Sequence, residues 1–453
     1  MTEIRPFRAI RYNKDKVGTM DAVMAPPYDV ISPQLQDELY RRHPYNIVRL
    51  ILGKTSGSDR PGDDRYSRAA ADLARWLDEG VLVRDEKPAL YYYTQTFEID
   101  GVERTRKGFI ALARLEELGG GSIHAHERTL SGPKADRLRL MEACKANFSS
   151  IFSLYSDPEL TLNRLFDSVT GEPHLDVADD EGVRNRLWVV DDPDVLRRAA
   201  ESMAGRSLFI ADGHHRYETA LNYRRMMLEA RPDATGLEPF NYVMMYFSNM
   251  DDEGMVVLPT HRIVHGLEGF DGGDFLRRVG AYFHVTELPF GAAGEADARR
   301  RLFAGLDEAH RAGRNAFGLF MRGRDSYCLL TLKDRSVLDR LLGPSVPEVY
   351  KSLDVTVLHS LIIGEVLGVT QEDQARQKNL IYVKGSREVI ERGRDEKAQL
   401  LFIMNPTDIS EVKAVAEAGL VMPQKSTYFY PKLLSGLTIN PLAGEEAVCM
   451  ESL

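Results

Sequence analysis

Five consecutive residues, Asp212-Gly213-His214-His215-Arg216, place an acid, two imidazoles and a guanidinium between an apolar run and an amphipathic stretch. Such a pattern suits an anion. Free backbone N–H groups and the positive end of a helix attract negative charge, Gly213 lets the backbone approach a ligand closely, and Arg216 can grip two oxygens at once. His214 and His215 can donate hydrogen bonds or move protons near neutral pH. Asp212, the one anion of the group, suits a base for a substrate hydroxyl or a ligand for Mg2+. The plainer alternative is a tight polar turn in which Asp212 caps the helix and the histidines are solvated.

A second dense polar cluster is His124-Ala125-His126-Glu127-Arg128-Thr129, followed by Lys134, Asp136 and Arg137. Glu127 and His126 are catalytic candidates here, and Lys134 and Arg137 are candidates for phosphate. A zinc site from His124, His126 and Glu127 is an alternative, although the spacing is not the His-Glu-x-x-His that sets two imidazoles on one helical face. A third cluster runs from Met422 to Lys432. Its Lys425, Ser426 and Thr427 invite comparison with the P-loop, but no glycine precedes Lys425 at the spacing a phosphate-cradling loop needs. Lys425, Ser426, Thr427 and Lys432 remain individual donors for an anion, and an edge strand with aromatic packing explains the segment equally well. His261-Arg262 after Leu258-Pro259-Thr260, and the corner Pro26-Pro27-Tyr28-Asp29, read as structural.

The elements that position these groups follow from hydrophobic period. Ser207–Ala211 reads as a strand that delivers the Asp212–His215 loop to a helix beginning at Arg216, with Tyr217, Ala220, Leu221, Met227 and Leu228 on one face. Pro33–Arg42 with Ser32 as N-cap, Tyr66–Glu79, Ala135–Asn147 and Pro193–Met203 read as helices. Asn46–Leu52, Ile151–Tyr155, Arg186–Val190 and Tyr242–Phe247 read as strands. Ala89–Ile99 and Thr105–Leu115 form a hairpin across Asp100-Gly101, a dipeptide that tolerates positive φ. Gly119–Lys134 is too glycine-rich for an element interior and reads as a functional loop. The fold class expected is α+β, with mixed sheets and flanking helices. Three segments are expected: an N-terminal α/β domain over 1–160, a core over 161–266 carrying the Asp212 motif, and an α+β domain over 267–453, with Leu267–Asp274 as a linker.

The chain has 453 residues, 43% hydrophobic and 28% charged, enough apolar material for sizeable cores. Its 58 Lys and Arg against 68 Asp and Glu leave a net charge of −10, which repels nucleic acid and confines any phosphate to a local basic pocket. Three scattered cysteines offer neither a disulfide framework nor zinc spacing and fit a reducing cytoplasm. No apolar core of an export signal and no stretch of membrane-spanning length is read.

Taken together, Ala25 to Val30, His126-Glu127, Pro133 to Leu138, Ile210 to Ala220, Leu258 to Arg262 and Met422 to Thr427 with Lys432 resemble the domain of unknown function 1015 family over nearly the whole chain. Asp212–Arg216 also resembles the phosphate-binding strand-loop-helix unit of the ParB/sulfiredoxin superfamily, particularly the free serine kinases. That likeness implies Asp212 as activator of a serine hydroxyl, with His214, His215 and Arg216 on phosphate, and serine or phosphoserine as substrate. The expectation is therefore a phosphotransferase or phosphatase, with Mg2+ and ADP or ATP as its cofactors and a small hydroxy or phosphorylated compound as its partner. The competing expectations are a nucleotide-responsive ParB-like switch module and a metal-dependent hydrolase.

Overall fold

The computed structural model describes residues 2–99, 101–127, 131–290, 294–385, 388–394, 397–423 and 425–443. Asp100 of the hairpin turn, Arg128 and Thr129 of the second cluster, Gln424 and Cys449 lie outside them. The chain clusters into two compact units, one made of residues 1–125, 129–256 and 431–453, the other of 126–128 and 257–430. The architecture is mixed α+β. Two units replace the three segments expected, because one sheet takes strands from both sides of residue 160. Leu267–Asp274 lies inside the second unit and does not mark the boundary.

The main sheet of the first unit has nine strands: Ile4–Arg5 (β1), Leu90–Ile99 (β2), Val102–Arg114 (β3), Ile123–His124 (β4), Ile151–Tyr155 (β5), Leu175–Ala178 (β6), Arg184–Val190 (β7), Leu208–Asp212 (β8) and Tyr242–Asn249 (β9). Their order across the sheet is β4-β8-β5-β9-β3-β2-β7-β6, with β1 alongside β3. β2 and β3 are the expected antiparallel hairpin, and Gly101 turns it at φ +78°. The sheet is mixed, since β9 runs parallel to β5 and antiparallel to β3.

One face of this sheet carries Tyr92, Phe109, Phe247, Ile151 and Ile210 into a core. Helices Pro33–Arg42 (α1), Arg65–Asp78 (α2), Ser131–Cys144 (α3), Thr161–Asp167 (α4), Pro193–Met203 (α5) and His214–Ala230 (α6) belong to the same unit. Leu162 and Phe166 of α4, Leu196 and Ala199 of α5, and Tyr217, Ala220 and Leu221 of α6 pack into that core. The caps follow sequence chemistry: Ser32 accepts from Leu35 N–H at the head of α1, and Asp192 accepts from Asp194 N–H and Val195 N–H at the head of α5.

Two expectations need correction. Residues 46–52 are not a strand; Val48–Ile51 is a short helix. The run is buried on every side, which removes the periodicity that separates strand from helix, and buried Asn46 fixes the turn by accepting from Val48 N–H and donating to the Ala22 and Met24 carbonyls. The helix expected from Ala135 begins at Ser131, so Lys134 lies within its first turn and the polar loop ahead of it is shorter.

Gly108 of β3 shows how tightly the other face is packed. A Cβ there would stand 2.6 Å from Tyr246 Oη and closer still to the Phe247 carbonyl. Gly108→Ala is expected to cost about 2 kcal/mol or more through overpacking, read as a lowered urea midpoint; an unchanged midpoint would show that Tyr246 can move aside.

The second unit holds a six-stranded sheet of Thr260–His265 (β10), Phe283–Pro289 (β11), Ala316–Met321 (β12), Ser326–Leu332 (β13), Leu380–Lys384 (β14) and Ala398–Met404 (β15), in the order β11-β13-β12-β15-β10-β14. Leu302 and Leu306 of the helix Gly294–Arg311 pack on Phe320, Tyr327 and Leu401 of that sheet. Among the described residues no helix is long and apolar enough to cross a membrane.

Candidate functional site

β8 ends in a register slip between Ile210 and Asp212, so Asp212 pairs with Phe152. Such a slip re-aims a side chain at a strand end. Gly213 then turns the chain at φ +93°, and α6 starts at His214 with no side chain capping its head. Glycine suits the left-handed turn, and a Cβ on Gly213 would also lie 2.9 Å from the Arg216 guanidinium and push it aside. The capping role considered for Asp212 is not what the structure shows.

Asp212 is instead held by two cations. Lys432 Nζ donates to its Oδ1 at 3.1 Å and Arg216 Nη2 to its Oδ2 at 3.1 Å. The three side chains are 22%, 15% and 14% exposed, so they are shielded from bulk water yet open on one side. Burial works to raise the Asp212 carboxyl, but the Lys432 ammonium and the Arg216 guanidinium outweigh it and hold the acid well below the usual carboxylate range. Burial pushes the adjacent His214 imidazolium down to about 4, so this ring is neutral at pH 7. His215 follows on the same first turn and gives its carbonyl to Thr219 Oγ1.

Arg216 also lines a cavity of about 50 Å3 with Tyr28, Arg137, Asn147, Phe148 and Ser149, room for roughly four waters or one small polar group. The Arg137 guanidinium lies 4.0 Å over the Tyr28 ring and donates to the Ile51 carbonyl and to Asp136. Asp136 also accepts from Arg65 and from Tyr66 Oη. Arg137 and Arg216 therefore share one wall, whereas Lys134 on α3 pairs with Glu218 of α6 at 2.7 Å.

Beneath Lys432 lies a polar network that sequence reading did not single out. Arg106 of β3 is fully buried and donates through Nη2 to Gln95 Oε1 and to the Pro431 carbonyl at 2.6 Å, and Gln95 Nε2 donates to the Lys432 carbonyl at 3.0 Å. The backbone on both sides of the Lys432 amide is thus anchored to the sheet.

His126, Glu127, Lys425, Ser426 and Thr427 belong to the second unit. His126 Nε2 lies 3.2 Å from Thr427 Oγ1, the Met422 amide donates to the His126 carbonyl, and Lys425 N–H lies 3.3 Å from Glu127 Oε1. Ser426 Oγ donates to the Pro423 carbonyl. The strand considered for this segment is Tyr428–Tyr430. Buried Arg262 donates through Nε to His359 Nε2 and through Nη2 to the Lys425 carbonyl. His359 and Tyr382 line a cavity of about 520 Å3 in this unit, beside the π-helix Leu358–Val366.

His124 stays in the first unit, its ring 5.2 Å from Phe209 and stacked on it. Among the described residues no group of three or more His, Cys, Asp and Glu is placed to hold a metal ion. Both Asp212 oxygens already face cations, so that carboxylate does not fit a resident Mg2+, and of the residues considered for zinc His124 falls in the first unit while His126 and Glu127 fall in the second.

The buried imidazoles make acid lability an expected property. An unfolded histidine binds its proton near 6.5, while the folded chain refuses it until about 4 at His214 and about 3 at His261 and His359, burial being the main cause at each. At these three rings the unfolded state binds more protons below pH 6.5, which outweighs buried Asp354, whose carboxyl is raised to about 7 and pulls the other way, so stability falls as pH drops through that window. His214 alone accounts for roughly 3 kcal/mol between pH 7 and 4. A urea midpoint that stays level from pH 7.5 to 4.5 would contradict this.

Comparison with known proteins gives a family but no activity. The family model described as "Protein of unknown function (DUF1015)" matches residues 4–356. No curated protein matches the chain. Among solved structures, a free serine kinase in complex with AMP is similar at 13% identity over 70% of this chain and 92% of that one, with a TM-score of 0.32. A conserved hypothetical protein from Pyrococcus furiosus is similar at 15% identity over 68% and 87%, TM-score 0.30. SbnI with a C-terminal truncation, from Staphylococcus aureus, is similar at 11% identity over 75% and 91%, TM-score 0.32. Likenesses this low assign no activity.

Proposed function

The chain belongs to the DUF1015 family of proteins of unknown function, and from that premise we propose that its first unit moves a phosphoryl group to or from a small hydroxy compound, with serine or phosphoserine as the substrate to test first. The observation that carries this reading is the Asp212 carboxylate set between Lys432 and Arg216 at the uncapped head of α6. Phosphoryl transfer asks a protein mainly to position the reactants and neutralise charge. Arg216, Lys432, Gly213 N–H and His215 serve the phosphate in this reading, and Arg137 extends the positive wall into the small cavity. Asp212 takes the hydroxyl proton as the new O–P bond forms and the donor's P–O bond breaks. In the dephosphorylating direction it takes a proton of the attacking water as the new O–P bond forms and the seryl O–P bond breaks, and that proton passes to the departing serine oxygen. His214, neutral at pH 7, accepts or relays that proton rather than acting as a standing acid.

The cavity of about 50 Å3 beside Arg216 and Arg137 suits a small polar group of the substrate. ADP or ATP enters the proposal as phosphoryl donor, on the likeness of the Asp212–Arg216 motif to that of the free serine kinases. Mg2+ enters only as a companion of the donor's phosphates, as Mg2+ is commonly held by one or two carboxylates with phosphate oxygens. His126, Glu127, Lys425, Ser426 and Thr427 are proposed as phosphate or proton-transfer contacts of the second unit. The compartment proposed is a reducing cytoplasm, on the scattered cysteines.

Incubating the protein with serine or phosphoserine, with and without ADP or ATP, and following 31P resonances tests the reading. Phosphoserine formed only with a nucleotide marks a kinase, and inorganic phosphate released without one marks a phosphatase. No turnover under any of these conditions removes serine and phosphoserine as substrates.

A further inference from the structure

The corner Pro26-Pro27-Tyr28-Asp29 reads as structural in sequence, yet its tyrosine lines the cavity that Arg137 and Arg216 share. The two prolines lead into a single 3-10 turn, Tyr28–Val30, and the Arg137 guanidinium lies over the Tyr28 ring, so the ring is held at both its root and its face. Its hydroxyl makes no hydrogen bond among the described residues. Burial raises that hydroxyl against the pull of Arg216 and Arg137, so it keeps its proton at pH 8 and stands as a donor. Asn147 supplies a second unused donor to the same cavity. This side chain is 6% exposed, and its Oδ1 accepts from Met244 N–H at 3.4 Å and Asn440 Nδ2 at 3.0 Å, which leaves Nδ2 with no acceptor among the described residues. The wall's remaining hydroxyls are engaged: Thr219 Oγ1 donates to the His215 carbonyl, and Ser149 Oγ pairs with Ser435 Oγ at 2.9 Å. No lining residue is an acid.

Polar groups this deep are normally satisfied, so two donors facing one small cavity call for an acceptor that the chain itself does not provide. Of the residues assigned to phosphate above, Arg216 and Arg137 line the cavity, whereas Gly213, His215 and Lys432 do not. The cavity therefore lies to one side of the phosphate seat and suits a second group of the same substrate. An ammonium group has no lone pair to offer and is repelled by the guanidinium groups. A carboxylate presents two oxygens with about four lone-pair positions, and guanidinium groups favour it. We propose that the cavity beside Arg216 binds the carboxylate of the substrate, with Tyr28 Oη and Asn147 Nδ2 as its hydrogen-bond donors, so that the site selects hydroxy compounds that are also acids. This rests on the phosphate reading of the site and adds to it the substrate class and two residues that set specificity.

The test is calorimetric titration of the full chain at pH 8 with O-phosphoserine and with O-phosphoethanolamine, the same ester without the carboxylate. Wild type is expected to bind phosphoserine tighter by about tenfold or more, the effect of hydrogen bonds to a charged acceptor. Tyr28→Phe keeps the ring beneath Arg137 and removes one donor. It is expected to weaken phosphoserine about fivefold or more and to leave phosphoethanolamine within about twofold of its wild-type affinity. Equal affinity of wild type for the two esters overturns the proposal even where Tyr28→Phe does not fold. So does a folded Tyr28→Phe protein that binds phosphoserine as wild type does, or one that weakens both esters alike, which would place the phosphate itself in the cavity. In each of these cases the phosphate reading survives. Binding of neither ester by wild type ends that reading together with the proposal.

Discussion

Asp212→Asn is expected to lower the rate of phosphoryl transfer by 10²-fold or more while the chain keeps its fold. Asparagine is isosteric with the carboxylate and preserves the shape of the β8 end, but it cannot take the hydroxyl proton, and loss of a positioned base typically costs 10²–10⁴ in rate. The variant separates two roles that one carboxylate plays in this account. As a resting partner of Lys432 and Arg216 it competes with phosphate, so its removal favours binding. As the proton acceptor it is needed for the chemical step, so its removal suppresses turnover. Tighter binding together with lost turnover is a signature that damage to the fold does not produce. Undiminished turnover by Asp212→Asn would take Asp212 out of the mechanism.

Lys432→Met is expected to weaken phosphoester binding 10- to 100-fold, the effect of losing one charge-assisted hydrogen bond worth about 1.5–3 kcal/mol. Methionine keeps most of the apolar stem and leaves the Pro431 and Lys432 carbonyl contacts to Arg106 and Gln95 in place. The expected loss is therefore in KM for phosphoserine and in the calorimetric Kd, with a minor change in thermal midpoint. A Kd equal to that of wild type would show that Lys432 serves only to neutralise Asp212.

The motif-bearing loop was legible in the sequence because its signals are local. A four-residue apolar run, a glycine and a helical stripe of Tyr217, Ala220 and Leu221 stand next to one another, and the structure places a strand at Leu208–Asp212 and a helix at His214–Ala230. The hairpin across Gly101 and the helices at Pro33–Arg42 and Pro193–Met203 were legible for the same reason. What the sequence hid depends on distant partners. Arg106 sits in a run, Arg104-Thr105-Arg106-Lys107, where polar residues occupy both faces of a strand, so alternation cannot say which guanidinium is buried. Its partner carbonyl lies 325 positions away at Pro431. Tyr28 reads as part of a rigid proline corner, and only the fold sets its ring beneath Arg137 at the wall that Arg216 shares. The short helix at Val48–Ile51 was lost because a run buried on all sides carries no period.

The central claim, that a phosphate seats on the uncapped head of α6 between Arg216 and Lys432, is tested most directly by a crystal structure of the full chain grown with methyl phosphate at pH 8. The account predicts a tetrahedral group within hydrogen-bond distance of the Arg216 guanidinium and Lys432 Nζ, with the Asp212 carboxylate turned away from at least one of them. Methyl phosphate bound elsewhere, with Asp212 still paired to both cations, would contradict it.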